Sequence, residues 1–230
     1  MIPAELSTIS WADIEALIAI GREEDDAIEF KRCFKGGDDY LALGERPKEK
    51  ALDAIAREAI AFLNTRGGDI IIGVKDAGGA HPRAEAITPV KNPQDTADRL
   101  ARGLSAVIEP AQTNLAVRAL SSPDDPGSGI IIVRARASLR APHRSKRTLE
   151  AYARRGSESV PMPMDEIQDL TLYRTRIRTE QLELLDRQFV DFRQGRSGQH
   201  WFSSPIFQLM AVVLLRSNGC RSPARKRRPF

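Results

Sequence analysis

The chain has 230 residues, 41% of them hydrophobic and 29% charged, and carries a formal net charge of +4. That length suits one medium domain with extensions or two small domains, and with aromatics at only 6% the core must rest on Ile, Leu, Val and Ala. Cys33 and Cys220 are too far apart in sequence to suggest a disulfide framework or a metal knuckle, and the apolar run from Phe207 to Leu215 falls well short of the roughly 20 residues that a membrane span needs.

Around Glu5 and Asp13 there is no basic start followed by an apolar run, so no secretory leader is expected and the predicted setting is cytoplasmic, without a membrane partner. Ser10-Trp11-Ala12-Asp13 has the form of a capping box. Helical spacing follows in Ile14, Leu17 and Ile18, with Gly21 as the stop. The acidic cluster Glu23-Glu24-Asp25-Asp26 leads into Ala27-Ile28-Glu29-Phe30-Lys31-Arg32. There, alternation predicts a strand with Ile28 and Phe30 on one face and Glu29 and Lys31 on the other. Phe34 to Pro47 reads as a loop. Lys48 to Leu63 is the clearest helix, with Leu52, Ile55, Ala56, Ala59, Ile60 and Leu63 inward and Lys50, Asp53, Arg57 and Glu58 outside.

The stretch from Phe62 to Gly79 is the centre of the chain. Asn64 and Gly67-Gly68 can end a helix in left-handed conformations. Ile70-Ile71-Ile72-Gly73-Val74 suits a central strand covered on both faces, with Gly73 marking a bulge or a close approach. Asp76 then sits at the strand end or opens the Asp76-Ala77-Gly78-Gly79 turn. Beyond His81-Pro82, Asn92 and Pro93 begin a second amphipathic helix to Val107. Leu115 to Leu120 and Ile130 to Ala135 form a long-looped hairpin. Asp165 to Tyr173 reads as a short helix, and a charged helical pattern continues to about Asp191. The composition then shifts to a Gly/Ser linker and a basic tail, Arg221 to Arg228, of the kind that stays disordered. Three parts follow: a domain over 1–173, a charged helical extension over 174–194, and a linker with basic tail over 195–230.

Glu29-Phe30-Lys31, Phe62-Leu63-Asn64-Thr65-Arg66-Gly67-Gly68, Ile71-Ile72-Gly73-Val74-Lys75-Asp76, Ala141-Pro142-His143 and Tyr152-Ala153-Arg154-Arg155-Gly156-Ser157 occur in that order. Together they resemble the Schlafen AlbA-2 domain, over about residues 15 to 173. The resemblance implies an α+β fold, a mixed β-sheet packed with helices, that binds DNA or RNA. Bacterial chains of this kind are often described as transcriptional regulators or ATP-binding proteins. In animal Schlafens the domain is an endonuclease of tRNA and rRNA that uses three carboxylates. Those positions match Glu24, Glu29 and Asp76 here. Lys75 departs from the pattern, since the animal proteins usually carry a further Asp there.

Three functions follow for testing. The leading one is nucleic-acid binding through the basic stretch Arg134, Arg136, Arg140, His143, Arg144, Lys146, Arg147, Tyr152, Arg154 and Arg155. There, cations meet phosphates, and Tyr152 and His143 stack or hydrogen-bond. The second is a divalent-metal-dependent endoribonuclease. Glu24, Glu29 and Asp76 would hold Mg²⁺ or Mn²⁺, and Lys31, on the same strand face as Glu29, would stabilise charge at phosphorus. The third is an ATP-binding regulator with Asn64, Arg66, Gly67 and Gly68 around phosphate, although the chain has no Gly-Lys-Ser/Thr P-loop. A homodimer is compatible with each.

Overall fold

In the computed structural model, residues 1–32 and 45–193 are described, with side chains over 51–173 and for part of 175–190 in the second range. The expected loop from Phe34 and the expected linker and basic tail from 195 fall outside the described residues. The chain divides into two compact units, Met1–Arg174 and Thr175–Phe230.

A single 3-10 turn at Leu6–Thr8 precedes helix α1 (Trp11–Ala19), and strand β1 (Ile28–Lys31) follows. Then come α2 (Glu45–Asn64), β2 (Gly67–Ile72), β3 (Val74–Asp76), β4 (Ala84–Ile87), β5 (Val90–Lys91) and α3 (Pro93–Val107). The remaining elements are β6 (Ile108–Glu109), β7 (Leu115–Ser121), β8 (Ser128–Arg136), β9 (Arg144–Ser145), β10 (Tyr152–Arg155), β11 (Glu158–Pro161) and α4 (Met164–Arg193). The fold is α+β, with a mixed sheet packed between helices.

Five strands make the main sheet. β1 pairs parallel with β2, with Glu29 opposite Ile70 and Lys31 opposite Ile72. β8 runs antiparallel to β2 on one side and to β7 on the other, and the short β5 takes up the start of β8 at Gly129 and Ser128. The two segments that must lie together to build a site, 28–31 and 67–72, are therefore direct neighbours.

Alternation along these strands sorts the core into two layers. Ile70, Ile72, Ile131 and Val133 pack beneath α2 and α3 with Ile55, Ala59, Leu100 and Leu104. Ile28, Phe30, Ile71, Ile130 and Ile132 face the other way, toward α1 and the N-terminal segment, with Ile2, Ile9 and Ile14. The Ser10–Asp13 capping box forms as expected. α2 is buried on its second side as well, because the hairpin of β10 and β11 packs on it.

Four details differ from the sequence reading. α2 begins at Glu45, so its first turn takes in Pro47, which a helix tolerates there. Asn92 stands at the α3 cap position in a left-handed conformation, φ 48°, with no side-chain cap bond. The short helix and the charged extension are one element, α4. Gly73, at φ 102°, ends β2 and turns the chain out of the main sheet, so Val74 to Asp76 belong to a separate hairpin with β4. A Cβ at Gly73 would stand 3.0 Å from the Ile130 side chain, so both the close approach and the backbone angle require glycine.

Candidate functional site

Glu29 lies on the α2-facing side of β1 because its neighbours Ile28 and Phe30 take the opposite layer. Above it on α2 stands Glu58. The sequence places Glu58 on the solvent side of the helix, but it is buried. Arg154, from β10, reaches between the two carboxylates. Its Nη2 donates to Glu29 Oε2 at 2.5 Å and its Nη1 to Glu58 Oε2 at 2.9 Å. The remaining donors are equally engaged: Nε and Nη2 donate to the Asp25 carbonyl at 3.1 and 3.0 Å, and Nη2 to the Ile28 carbonyl at 3.4 Å. The guanidinium also sits over the Phe62 ring, 5.0 Å from its centroid. Lys31 pairs with Glu29 and lies 3.9 Å from Glu58. Arg57 and Ser159 complete the surroundings of Glu58. Exposure orders the group: the side chains of Arg154, Glu58 and Glu29 are 1%, 3% and 5% exposed, whereas that of Lys31 is 27% exposed.

Glu24 stands beside this group. The segment before β1 bridges to the β3–β4 hairpin, with the Glu24 N–H donating to the Pro82 carbonyl at 2.8 Å. That brings Glu24 into the electrostatic neighbourhood of both Glu29 and Asp76. Its Oε1 accepts the Phe30 N–H at 2.8 Å, which satisfies a donor on β1. Burial, then the Glu29 charge, and more weakly Asp76, push its pKa up to about 7, against the Phe30 hydrogen bond and Lys31. Asp76 accepts the Gly78 N–H at 2.8 Å, the turn-opening contact, and Lys75 pairs with Glu85 on β4 at 2.5 Å.

The resemblance thus points to one neighbourhood: Glu24, Glu29, Lys31 and Asp76 come together. Their arrangement is not that of metal ligands. Among the described residues no three His, Cys, Asp or Glu side chains are gathered to hold an ion, and Glu29 gives its oxygens to Arg154 and Lys31. A resident Mg²⁺ or Mn²⁺ does not fit this donor set.

The turn expected to surround phosphate has structural roles in the fold. Asn64 is buried, and its Nδ2 donates to the carbonyls of His143 and Tyr152 at 2.8 and 2.9 Å. Its Oδ1 accepts the His143 N–H at 2.6 Å. Gly67 and Gly68 open β2 and pair with Arg136 and Ala135. A Cβ on Gly68 would stand 2.4 Å from the Phe62 ring, so the second glycine makes room for packing. Arg66 is exposed and lies 3.5 Å from Asp26.

Four members of the expected nucleic-acid surface are interior residues. Arg134 is buried and makes a two-point contact with Asp69, at 2.7 and 2.9 Å, and also donates to the carbonyls of Ala4 and Ile2 at 2.5 and 3.0 Å. His143 is buried between Ser138 Oγ at 2.7 Å and the Pro110 carbonyl at 2.9 Å, and burial lowers its pKa. The hydroxyl of buried Tyr152 donates to Glu150. Arg154 belongs to the carboxylate group. The exposed cations are Arg136, Arg140, Arg144, Lys146, Arg147 and Arg155. Arg136, Arg144, Arg147 and Arg155 form ion pairs with Glu5, Glu109, Asp53 and Glu166 at 3.0, 2.7, 3.3 and 2.9 Å. Next to Arg144 opens a largely apolar cleft of about 480 Å³, walled by Pro110, Pro142, Leu149, Met164 and Ile167.

The sheet order and the acid–guanidinium group define an α+β domain of a recognisable type. The profile of the family described as "Schlafen, AlbA_2" matches residues 24–163, and the chain belongs to that family. Solved structures similar to it include two at low sequence identity. One is the N-terminal domain of a protein from Nitrosomonas europaea described as ATP-dependent DNA helicase RecG-related, at 18% identity and TM-score 0.44, covering 64% of this chain and 89% of that one. The other is the DIP2311 protein from Corynebacterium diphtheriae, at 19% identity and TM-score 0.42, covering 66% of this chain but only 26% of that one. No curated protein matches the sequence. Among the described residues, no helix is long and apolar enough to cross a membrane.

Proposed function

We propose that the chain binds nucleic acid through the exposed cations between Arg136 and Arg155. The observation that carries this reading is their mounting. Arg140, Arg144, Lys146 and Arg147 project from a segment whose backbone is held by buried Asn64 and by His143. A cation on a fixed backbone loses less freedom when it meets a phosphate. The ion pairs of Arg136, Arg144 and Arg155 have well-exposed guanidinium groups and are worth little, so exchanging a carboxylate for a phosphate there costs little. Membership of a family whose resemblance implies nucleic-acid binding supports the same conclusion. The cleft beside Arg144 is apolar enough to receive the face of a base from a single strand.

The test is fluorescence anisotropy with labelled single-stranded RNA, single-stranded DNA and duplex DNA at low and moderate salt. Binding should weaken steeply with salt, and replacing Arg140, Arg144 and Lys146 together by Ala should reduce the slope of log K against log salt by roughly 2 to 3. Absence of binding to all three probes at about 50 mM salt, where such contacts are strongest, defeats the proposal.

A further inference from the structure

The carboxylate group is charge-compensated from within. Two buried carboxylates from different elements, Glu29 on β1 and Glu58 on α2, converge on one guanidinium from a third element, β10. Around Arg154 stand oxygens of Glu29, Glu58, Asp25, Ile28 and Ser159. Hard divalent ions take a comparable shell of oxygen donors. A guanidinium differs in offering five N–H bonds in a fixed plane and a permanent single charge. Lys31 supplies the second positive charge from the more exposed side, touching the same two carboxylates. Glu29 and Glu58 are thus compensated by Arg154 and Lys31, with Arg57 a further 3.1 Å contact on Glu58 from the exposed side, and neither carboxylate is left to recruit an ion from solvent.

We propose that the Arg154 guanidinium takes the place of a divalent cation in this centre, locking β1, α2 and β10 together so that folding and nucleic-acid binding proceed without Mg²⁺ or Mn²⁺. The lock is independent of which nucleic acid is bound, and its test needs none.

Thermal unfolding of the full chain is followed in millimolar MnCl₂ and in EDTA. The wild-type midpoint should agree in the two media to within about 1 °C. Arg154→Ala removes the internal cation and leaves two buried carboxylates facing each other. Its midpoint should fall well below wild type, and Mn²⁺ should then raise it by roughly 5 °C, a response the wild type lacks. The charge-balanced variant Glu29→Gln/Arg154→Met should show no Mn²⁺ response. If Arg154→Ala does not fold, titration of wild type with Mn²⁺, read by the electron paramagnetic resonance of the free ion, decides the matter: a titration with no ion lost to the protein supports the proposal. A wild-type midpoint or resonance that responds to Mn²⁺ and loses the response in Glu29→Gln overturns it. So does a folded Arg154→Ala that ignores the ion. Loss of anisotropy binding with an unchanged metal response would count against the nucleic-acid reading alone.

Discussion

Glu24 shows what a single residue in this neighbourhood costs and contributes. Its pKa is raised from 4.5 to about 7, chiefly by burial and secondly by the Glu29 charge. A carboxyl shifted upward adds nothing against folding while it is protonated in both states, below about pH 4.5. It costs stability as pH rises from about 4.5 through about 7, because over that window the unfolded chain has released a proton that the folded state still holds. Glu24→Gln keeps a polar group opposite the Phe30 N–H without the charge. Relative to wild type, the variant should therefore gain stability between pH 4 and pH 8. The full shift is worth roughly 3 kcal/mol, reduced to about 1 to 2 kcal/mol by the solvent that still reaches the side chain. A stability difference that stays flat across that range would show that Glu29, Asp76 and burial do not act on Glu24 as described. The pairing of Glu29 with Lys31 was legible from strand alternation alone. Glu58 was misread because it sits among charged neighbours on the helix, yet Ala51, Ile55, Glu58 and Phe62 follow one another at helical spacing and all four are buried. A carboxylate interrupting an apolar stripe is the signal that could have found it.

At the scale of elements, the same logic repeats in segments that carry no periodicity. The N-terminal ten residues are held to the sheet by charged groups: Asp69 accepts the Ile2 N–H at 2.7 Å, Arg134 takes two carbonyls, and Arg118 donates to Leu6 and to Ile9, the latter at 2.9 Å. Arg134 looked like a phosphate contact because it heads a basic run; the buried Asp69 on the neighbouring strand claims it. The helices, β1 and the β7–β8 hairpin could be read from the sequence because each has its own apolar rhythm. The segment from Ser138 to Glu150 has none, and its course is set by long-range bonds to Asn64. Asn64→Ala would orphan the buried His143 N–H and leave two carbonyls without a donor. It should destabilise the domain by about 2 to 4 kcal/mol. Asn64→Asp preserves the acceptor for His143 but sets a carboxylate against the two carbonyls, so it should be no less damaging. Denaturant titration distinguishes these outcomes; two variants with wild-type midpoints would mean that Asn64 is not the clamp.

For the whole molecule, charge matters by location rather than by sum. The net charge is only +4, and two of the arginines that gave the central stretch its basic look, Arg134 and Arg154, are neutralised inside the domain. Two sets of cations remain as the densest candidates for a polyanion: the exposed cations from Arg136 to Arg155, and Arg221, Arg225, Lys226, Arg227 and Arg228 near the C-terminal end of the sequence. A chain ending at Arg174 keeps the whole first compact unit, including every bond of the Arg154 and Asn64 groups. It should unfold at the wild-type midpoint. It should bind the same probes more weakly, with a shallower slope of log K against log salt: each lost phosphate contact removes about 0.9 for duplex DNA, and the five cations from Arg221 to Arg228 account for roughly 4 of the change. If the two sets meet different phosphates, the loss on truncation and the loss on replacing Arg140, Arg144 and Lys146 should add in the combined variant. If truncation alone abolishes binding, the residues after Arg174 carry the affinity and the fixed segment does not. If the two losses fail to add, both sets are competing for the same phosphates.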